Sequence, residues 1–318
     1  MILKIDNSKR STAVTCMQKY FLRYIKNLTT IHGSTALRYG STWHALKEGY
    51  YSSIRDNGWE SHQDDHIQAA INLATKVWNE ASSKSDFYDD YRTLENCFQS
   101  FVEYLEIFQA DRFMMNIIES ERIFDILMNL TQEERKLYPF LAVLELHFTG
   151  KLDLEVELSG QHWIMEEKTT GQPAQIQAKR LQRSAQVIGY TWAGKKIGND
   201  IVGSLVSIHQ LTARKVKDGG YGKVTREFIR HPNIFSNADL QTWRQSYLYT
   251  CNRIAEAEIT ETYPQEFDSC YQFGECQFCK LCEQNRPFEE LNTTGFKVEK
   301  WDVLESSTGD APIIEIEA

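Results

Sequence analysis

Between residues 8 and 28, bulky apolar side chains return at helical spacing (Tyr20, Phe21, Tyr24, Ile25, Leu28), which predicts a helix. A second helix is expected from Leu37 to Ser53, after the Gly33-Ser34 break. Two longer ones are expected across 62–112, with Trp78, Phe98, Phe101, Leu105 and Phe108 as core positions. The texture changes near Ile117. Short β-rich runs follow at 116–124, 141–149, 150–158 and 162–169, the last two joined at Ser159-Gly160-Gln161. A helix over 174–197, a strand over 201–213, a turn at Gly219-Gly220, a strand over 223–230 and a helix from about Asn237 to Thr262 complete the order. The class is α+β: a helical N-terminal part, a mixed central sheet with a flanking helix, and a C-terminal lid.

Composition narrows the class without changing it. The 318 residues are 42% hydrophobic and 12% aromatic, which is globular. The longest apolar stretch, around Ile201 to Ile208, is far too short to span a bilayer. The N-terminus lacks the basic-then-apolar layout of a signal peptide, so a soluble cytoplasmic protein with no membrane partner is expected. The formal charge of −9 argues against nucleic acid until its distribution is followed. From Glu283 to the end there are nine acidic and three basic residues, which leaves −3 for residues 1–282. From Thr169 to His231 the balance reverses, with eleven basic residues against Asp200, Asp218 and Glu227. Such a run is usually a solvated face. Here it follows the candidate chemistry directly, and it reads as a phosphate contact.

That chemistry is Gly150-Lys151-Leu152-Asp153 followed by Ile164-Met165-Glu166-Glu167-Lys168-Thr169. Asp153 and Glu166 fall on adjacent strands of a short hairpin, so their carboxylates can converge on a divalent ion. On a strand Glu166 and Lys168 share a face and Glu167 points away, leaving its backbone carbonyl as a further metal ligand. Lys168 can then orient an attacking water or stabilise developing charge. Gln186 and Tyr190, four apart, share a face of the next helix. His44, in Gly40-Ser41-Thr42-Trp43-His44, places an imidazole on an early helix where it could supply a nitrogen ligand.

Seven cysteines in a chain expected in the cytoplasm read as metal ligands or buried thiols before disulfides. Cys97 and Cys251 lie in helical patterns and are read as core residues. The other five are Cys16 and the run Cys270, Cys276, Cys279 and Cys282. Spacing alone fits a zinc site drawn from 270–282 as well as an iron–sulfur cluster.

Taken in order, Cys16, Gly40-x3-His44, Gly150-x2-Asp153, Glu166-x-Lys168-Thr169, Gln186-x3-Tyr190 and the terminal cysteines resemble the RecB-like branch of the PD-(D/E)XK nucleases. The resemblance is to its iron–sulfur members: the AddB-type domain, CRISPR-adaptation exonucleases and bacteriophage exonucleases. It covers about residues 8–285. It implies a restriction-endonuclease-like fold in one nuclease domain over 1–285, with a helical insertion at about 60–115 and an acidic tail over 286–318. It also implies a Mg²⁺- or Mn²⁺-dependent exonuclease acting on DNA ends, single-stranded or resected, in recombination, repair or phage DNA processing. A recombination or replication protein would be its partner. His44, Asp153 and Glu166 match the metal ligands, Lys168 the catalytic lysine, and Gln186 and Tyr190 the motif lining the site.

The resemblance further implies a [4Fe–4S] cluster on Cys16, Cys270, Cys276 and Cys282, with Cys279 spare. The spacing here, Cys-x5-Cys-x2-Cys-x2-Cys, departs from the common family pattern and leaves the choice between Cys279 and its neighbours open. Joining Cys16 to Cys270 would restrain the unfolded chain by roughly 5 kcal/mol on a loop-closure basis. A catalytically inactive DNA-end-binding or assembly subunit, and a zinc-stapled structural protein, are the alternatives. The intact Asp153, Glu166 and Lys168 set speaks against the first.

Overall fold

The computed structural model describes residues 2–304 and 314–317, apart from Asp86, Asp89, Asn199, Asp218 and Phe273. The chain divides into a central unit (33–123 and 151–240) and a terminal unit (1–32, 124–150 and 241–318). In chain order the terminal unit opens with β1 (Ile2–Ile5), α1 (Asn7–Thr15), α2 (Met17–Tyr20) and β2 (Leu28–Thr30). The helix expected over 8–28 is broken at Cys16, whose backbone is extended at φ −167° and ψ 122°. A π-helical turn (Phe21–Ile25) follows α2.

The central unit begins with α3 (Thr35–Asn57), α4 (Gln63–Lys84), α5 (Leu94–Ile107) and the short α6 (Asp111–Met114). Ser34 caps α3 by accepting the Leu37 N–H at 3.3 Å, and Gly58, at φ 77°, ends it. Thr93 caps α5 in the same way. The face of α3 that bears Tyr39, Trp43, Leu46 and Tyr50 joins Phe101 and Tyr104 of α5 in one core with sheet residues such as Met165 and Leu205. This burial stabilises the helices far more than their intrinsic propensity does.

The strands are β3 (Met115–Leu127), β4 (Glu145–Leu158), β5 (Gln161–Thr170), β6 (Ile201–Lys215) and β7 (Tyr221–Asn233), hydrogen-bonded in the order β7-β6-β5-β4-β3. A short α7 (Gln132–Leu137) lies between β3 and β4. The sheet is mixed: β4 and β5 are antiparallel, β5 and β6 parallel, β6 and β7 antiparallel. The runs expected as separate strands at 141–149 and 150–158 are one strand from Glu145 onward. Residues 138–144 are held instead in turns, with Leu141 N–H donating to Tyr138 O and Leu144 N–H to Leu141 O. The β4–β5 hairpin forms where expected. Ser159 (φ 52°) and Gly160 (φ 76°) are both left-handed, as a two-residue turn between twisted strands requires.

The helix expected over 174–197 is two: α8 (Ala174–Leu181) and α9 (Ala185–Lys196). The N–H groups of Gln182, Arg183 and Ser184 bond back to Ala178, Arg180 and Leu181, closing α8. Ser184 is then extended and its carbonyl accepts the Ile188 N–H, which starts α9 in a new direction.

The terminal unit closes with α10 (Asn237–Thr260, from Gln241 on), α11 (Cys279–Cys282) and β8 (Phe296–Val298). Within it β1 pairs parallel with the start of β4, and Phe148, Trp243 and Tyr247 pack together at ring separations of 5.0–5.3 Å. The expected acidic tail begins with folded chain: β8 pairs with β2, and Phe288, Leu291 and Phe296 pack on Leu22, Leu28, Phe278 and Leu281. Trp301 donates to Asp6 at 2.9 Å. A last strand, β9 (Ile314–Glu317), pairs with Phe124–Leu127. Residues 305–313 and Ala318 of the tail lie outside the described residues. No described helix is long and apolar enough to cross a membrane.

Candidate metal centre and cysteine cluster

Pairing of β4 with β5 runs from Leu158↔Gln161 to Leu154↔Met165. One step further in that register, Asp153 stands opposite Glu166 on the same face. The convergence anticipated from the hairpin is therefore present. Lys168, two residues on, donates from Nζ to Glu166 Oε1. Gln186 of α9 donates to the same oxygen at 2.8 Å. The break at 182–184 matters here, since it sets the direction in which α9 presents Gln186. Tyr190, one turn further along α9, is buried at 8% exposure. From α3, His44 Nδ1 lies 3.4 Å from Asp153 Oδ1, while the Glu167 N–H donates to Asp153 Oδ2 at 2.8 Å.

A residue without a sequence motif completes the group. Glu121 of β3 brings a carboxylate oxygen to a place where it, a His44 ring nitrogen and an Asp153 oxygen all lie within 4.8 Å of one another. Lys151 pairs with Glu121. Lys151 and Asp153 share a face of β4, being two apart. The only sequence signal for Glu121 was an acid inside an otherwise β-rich run.

Electrostatics mark the group as a cation site. Glu166 is 1% exposed, and burial together with the Asp153 charge pushes its carboxyl up to about 7. Its Oε2 is buried and has no hydrogen-bond partner. An unpaired buried carboxylate oxygen is costly, and beside two further acids a cation is the partner that removes the cost. Burial likewise raises Glu121 to about 7, against the opposing pull of Lys151. Asp153 behaves oppositely: burial would raise it, but His44, Lys168 and the Glu167 N–H hold it near 2. Burial opposes charge on His44 too, yet Asp153 outweighs it and lifts the imidazole to about 9. The convergent donors are the Glu121 and Asp153 carboxylates and the His44 imidazole, an oxygen-rich set that a divalent cation could occupy.

The side chain of Glu167 leaves this face, as alternation requires, and is buried against Lys47 and Trp43. Only its backbone carbonyl remains available as a ligand. The basic run does not act as one surface. Arg226 and Arg230 lie on the helix-covered face of β7, where Arg226 bonds Ser100, Asn96 and Glu103 and Arg230 bonds Asp111. They are removed from the expected phosphate contacts because alternate residues of β7 point inward. Lys179, Arg180, Lys195 and Lys196 stay exposed, and Arg183 pairs with Asp239 at 3.0 Å.

The second group lies in the terminal unit. The break after α1 turns Cys16 so that its Sγ accepts the Glu266 N–H at 3.4 Å. The Cys276 N–H bonds Cys270 O at 2.7 Å, folding the five-residue gap into a tight loop. Burial pushes the Cys282 thiol up to about 12, and the thiols of Cys16, Cys276, Cys270 and Cys279 add to the shift. The other four sulfurs are therefore within electrostatic reach of Cys282. Cys279 is engaged elsewhere, by Tyr271 Oη at 3.5 Å and Glu283 at 3.6 Å. Cys97 and Cys251 are buried in helices, as expected.

Comparison with protein families gives a match over residues 7–283 to the model of the PD-(D/E)XK nuclease superfamily. No curated protein matches the chain.

Proposed function

The chain belongs to the PD-(D/E)XK nuclease superfamily, a family of metal-dependent nucleases that act on DNA, and on that premise we propose that it is a Mg²⁺- or Mn²⁺-dependent DNA exonuclease with a structural [4Fe–4S] cluster. The observation that carries the catalytic part is the buried Glu166 carboxylate, with Lys168 on its Oε1, its Oε2 left unpaired, and Asp153 one step beyond the Leu154↔Met165 pair of the hairpin. Asp153, Glu121, Glu166 and His44 would hold the divalent ion. When bound, it supplies a water of lowered pKa and charge relief on the phosphate. Asp153 is kept ionised for this by His44 and the Glu167 amide. Gln186 fixes the orientation of Glu166 through Oε1, leaving Oε2 without a protein partner and free to take a cation. The Lys168 ammonium orients the attacking water and stabilises charge growing on the phosphate. The exposed Lys179, Arg180, Lys195 and Lys196 supply backbone contacts, so cleavage weakens as salt rises.

For the cluster, Cys16, Cys270, Cys276 and Cys282 are the ligands, with Cys279 held aside by Tyr271 and Glu283. Separation of the thiol sulfurs is what distinguishes this reading from zinc. A tetrahedral zinc ion with Zn–S bonds of about 2.3 Å draws its sulfurs to within roughly 4 Å of each other. A four-iron cluster is a wider body and needs wider separation. The decisive test is digestion of end-labelled DNA with Mg²⁺ or Mn²⁺ by the intact protein and by Lys168→Ala. Metal-dependent release of nucleotides from ends, lost in the variant, is expected. Binding of ends without cleavage in any divalent ion would instead favour an inactive binding subunit.

A further inference from the structure

Behind the catalytic strand, on the face away from Glu166 and Lys168, lies a charged pair that the cleavage chemistry does not use. Lys47 Nζ and Glu167 Oε1 are 3.3 Å apart, and both side chains are only 3% exposed. The other oxygen of Glu167 accepts the Trp43 indole N–H at 3.4 Å. Two residues of α3 thus face the two carboxylate oxygens of Glu167, Trp43 by a hydrogen bond and Lys47 by an ion pair that is not a hydrogen bond.

We propose that Lys47 is a positioning residue that, by clamping Glu167, sets the backbone on which the metal ligands are mounted. The inference rests on the nuclease reading above. The peptide linking Glu166 to Glu167 carries the N–H that donates to Asp153 Oδ2 at 2.8 Å. Asp153 Oδ1 faces His44, which is also on α3. One helix therefore fixes both oxygens of Asp153: one directly through His44, the other through Glu167 and the clamp upon it. The helix runs close to the strand, since a Cβ at Gly40 would come within 3.2 Å of Thr169 Oγ1. His44 and Lys47 are three apart, the spacing that puts neighbours on one side of a helix.

The clamp is itself immobilised. The Lys47 ammonium lies 3.1 Å from the centroid of the Tyr104 ring and 3.4 Å from Tyr51 Oη, and the two tyrosine hydroxyls are 3.0 Å apart. Arg230 binds Tyr104 Oη and makes two bonds of 2.7 and 2.6 Å to Asp111. A buried ion pair of this kind adds little net stability over an apolar pair of the same volume. Its retention is better explained by what it orients. Partners that orient metal ligands from behind typically matter by 10–100-fold in affinity or activity.

The test compares the intact protein with Lys47→Met and with Lys47→Met/Glu167→Gln. The single variant strands a buried carboxylate and is expected to lose stability. The double variant removes both charges and keeps an acceptor for Trp43, so it serves as the folded control. Three quantities are read: unfolding midpoint, Mn²⁺ affinity by calorimetry, and hydrogen exchange at the Glu167 amide in the metal-free protein. The double variant is expected to unfold near the wild-type midpoint, to bind Mn²⁺ about 10–100-fold more weakly, and to exchange the Glu167 amide faster. Wild-type Mn²⁺ affinity and unchanged amide exchange in that variant overturn the proposal. A wild-type protein that binds no Mn²⁺ and cuts no DNA refutes the nuclease reading instead, and the amide measurement still decides the role of Lys47.

Discussion

Replacing Glu166 by Gln should make the metal-free protein more stable at alkaline pH while abolishing its use of metal. A carboxyl raised from its ordinary 4.5 to about 7 is favoured in the folded state only when protonated. Its stabilising contribution is complete below pH 4.5 and is lost as pH rises through 7. At pH 8 the loss amounts to about 3 kcal/mol. Glu166→Gln escapes it, because the amide stays neutral and can keep Oε1 as acceptor for Gln186 and Lys168. The loss of about 3 kcal/mol is already net of the attraction between Lys168 and the ionised carboxylate, which lowers the Glu166 pKa. A gain of up to about 3 kcal/mol is therefore expected at pH 8, shrinking towards zero near pH 5. The assay is urea unfolding in EDTA at the two pH values, repeated with Mn²⁺. Mn²⁺ should raise the wild-type midpoint by occupying the site, and should raise that of the variant much less. A variant less stable than wild type in EDTA at pH 8 would refute the reasoning, as would equal stabilisation of both by Mn²⁺.

Three further outcomes follow from the same geometry. Mn²⁺ affinity should rise from pH 6 to pH 9, because Glu121 and Glu166 (about 7) and His44 (about 9) must give up protons to become ligands; proton uptake on binding, seen by calorimetry in buffers of different ionisation enthalpy, would contradict this. Cys16→Ala should lower iron per chain and the unfolding midpoint, whereas Cys279→Ala should retain a visible-absorbing cluster; iron content unchanged in the first would remove Cys16 from the ligands. His209, 1% exposed, stacked on Phe228 and tilted against Trp43, has no hydrogen-bond partner for either ring nitrogen among the described residues, and burial with nearby Arg226 and Lys47 depresses it to about 3. The unfolded state therefore gains protons below pH 6.5 that the folded state refuses, costing about 2 kcal/mol by pH 5. His209→Phe should flatten that part of the stability curve, and an unaltered slope between pH 7.5 and 5 would show that the ring is not buried neutral.

What could be read from the residues was whatever obeys a two- or four-residue repeat. The Ser159-Gly160 turn and the alternation on either side place Asp153 opposite Glu166 and separate Lys168 from Glu167, and the structure keeps that arrangement. Gln186 at Glu166 follows from a helix face. What escaped depends on contacts distant in sequence or on departures from regularity. The break at 182–184 arises from backbone bonds that no side-chain pattern announces. Arg226 and Arg230 counted as part of a basic surface until the helices covering β7 turned them inward, although the alternation of Thr225, Arg226, Glu227 and Phe228 already placed them on the apolar side. Cys16 looked like a residue inside a helix and instead marks its interruption. The tail beyond 286 read only as acidic, with no fold assigned, yet Phe288, Leu291 and Phe296 were enough to fold its first part.

Glu121 shows why the last metal-site acid was the hardest to find. It has φ 55° within β3, a left-handed conformation that costs a non-glycine residue about 1–3 kcal/mol. The other described non-glycine residues with positive φ lie outside strands, in turns or at helix ends, where such values are common. The left-handed backbone at Glu121 is where the strand departs from regular geometry. Beyond it Arg122 pairs with Glu155 at 2.5 Å, while Glu121 reaches His44, Asp153 and Lys151. A strand of regular backbone would carry residues 120 and 121 to opposite faces. The local cost persists where an acidic side chain is delivered to a group that already holds Asp153 and Glu166. Strain in β3 and the unpaired oxygen of Glu166 are thus two independent departures from ordinary packing, one within the Glu121, His44 and Asp153 group and the other on the carboxylate that feels the Asp153 charge.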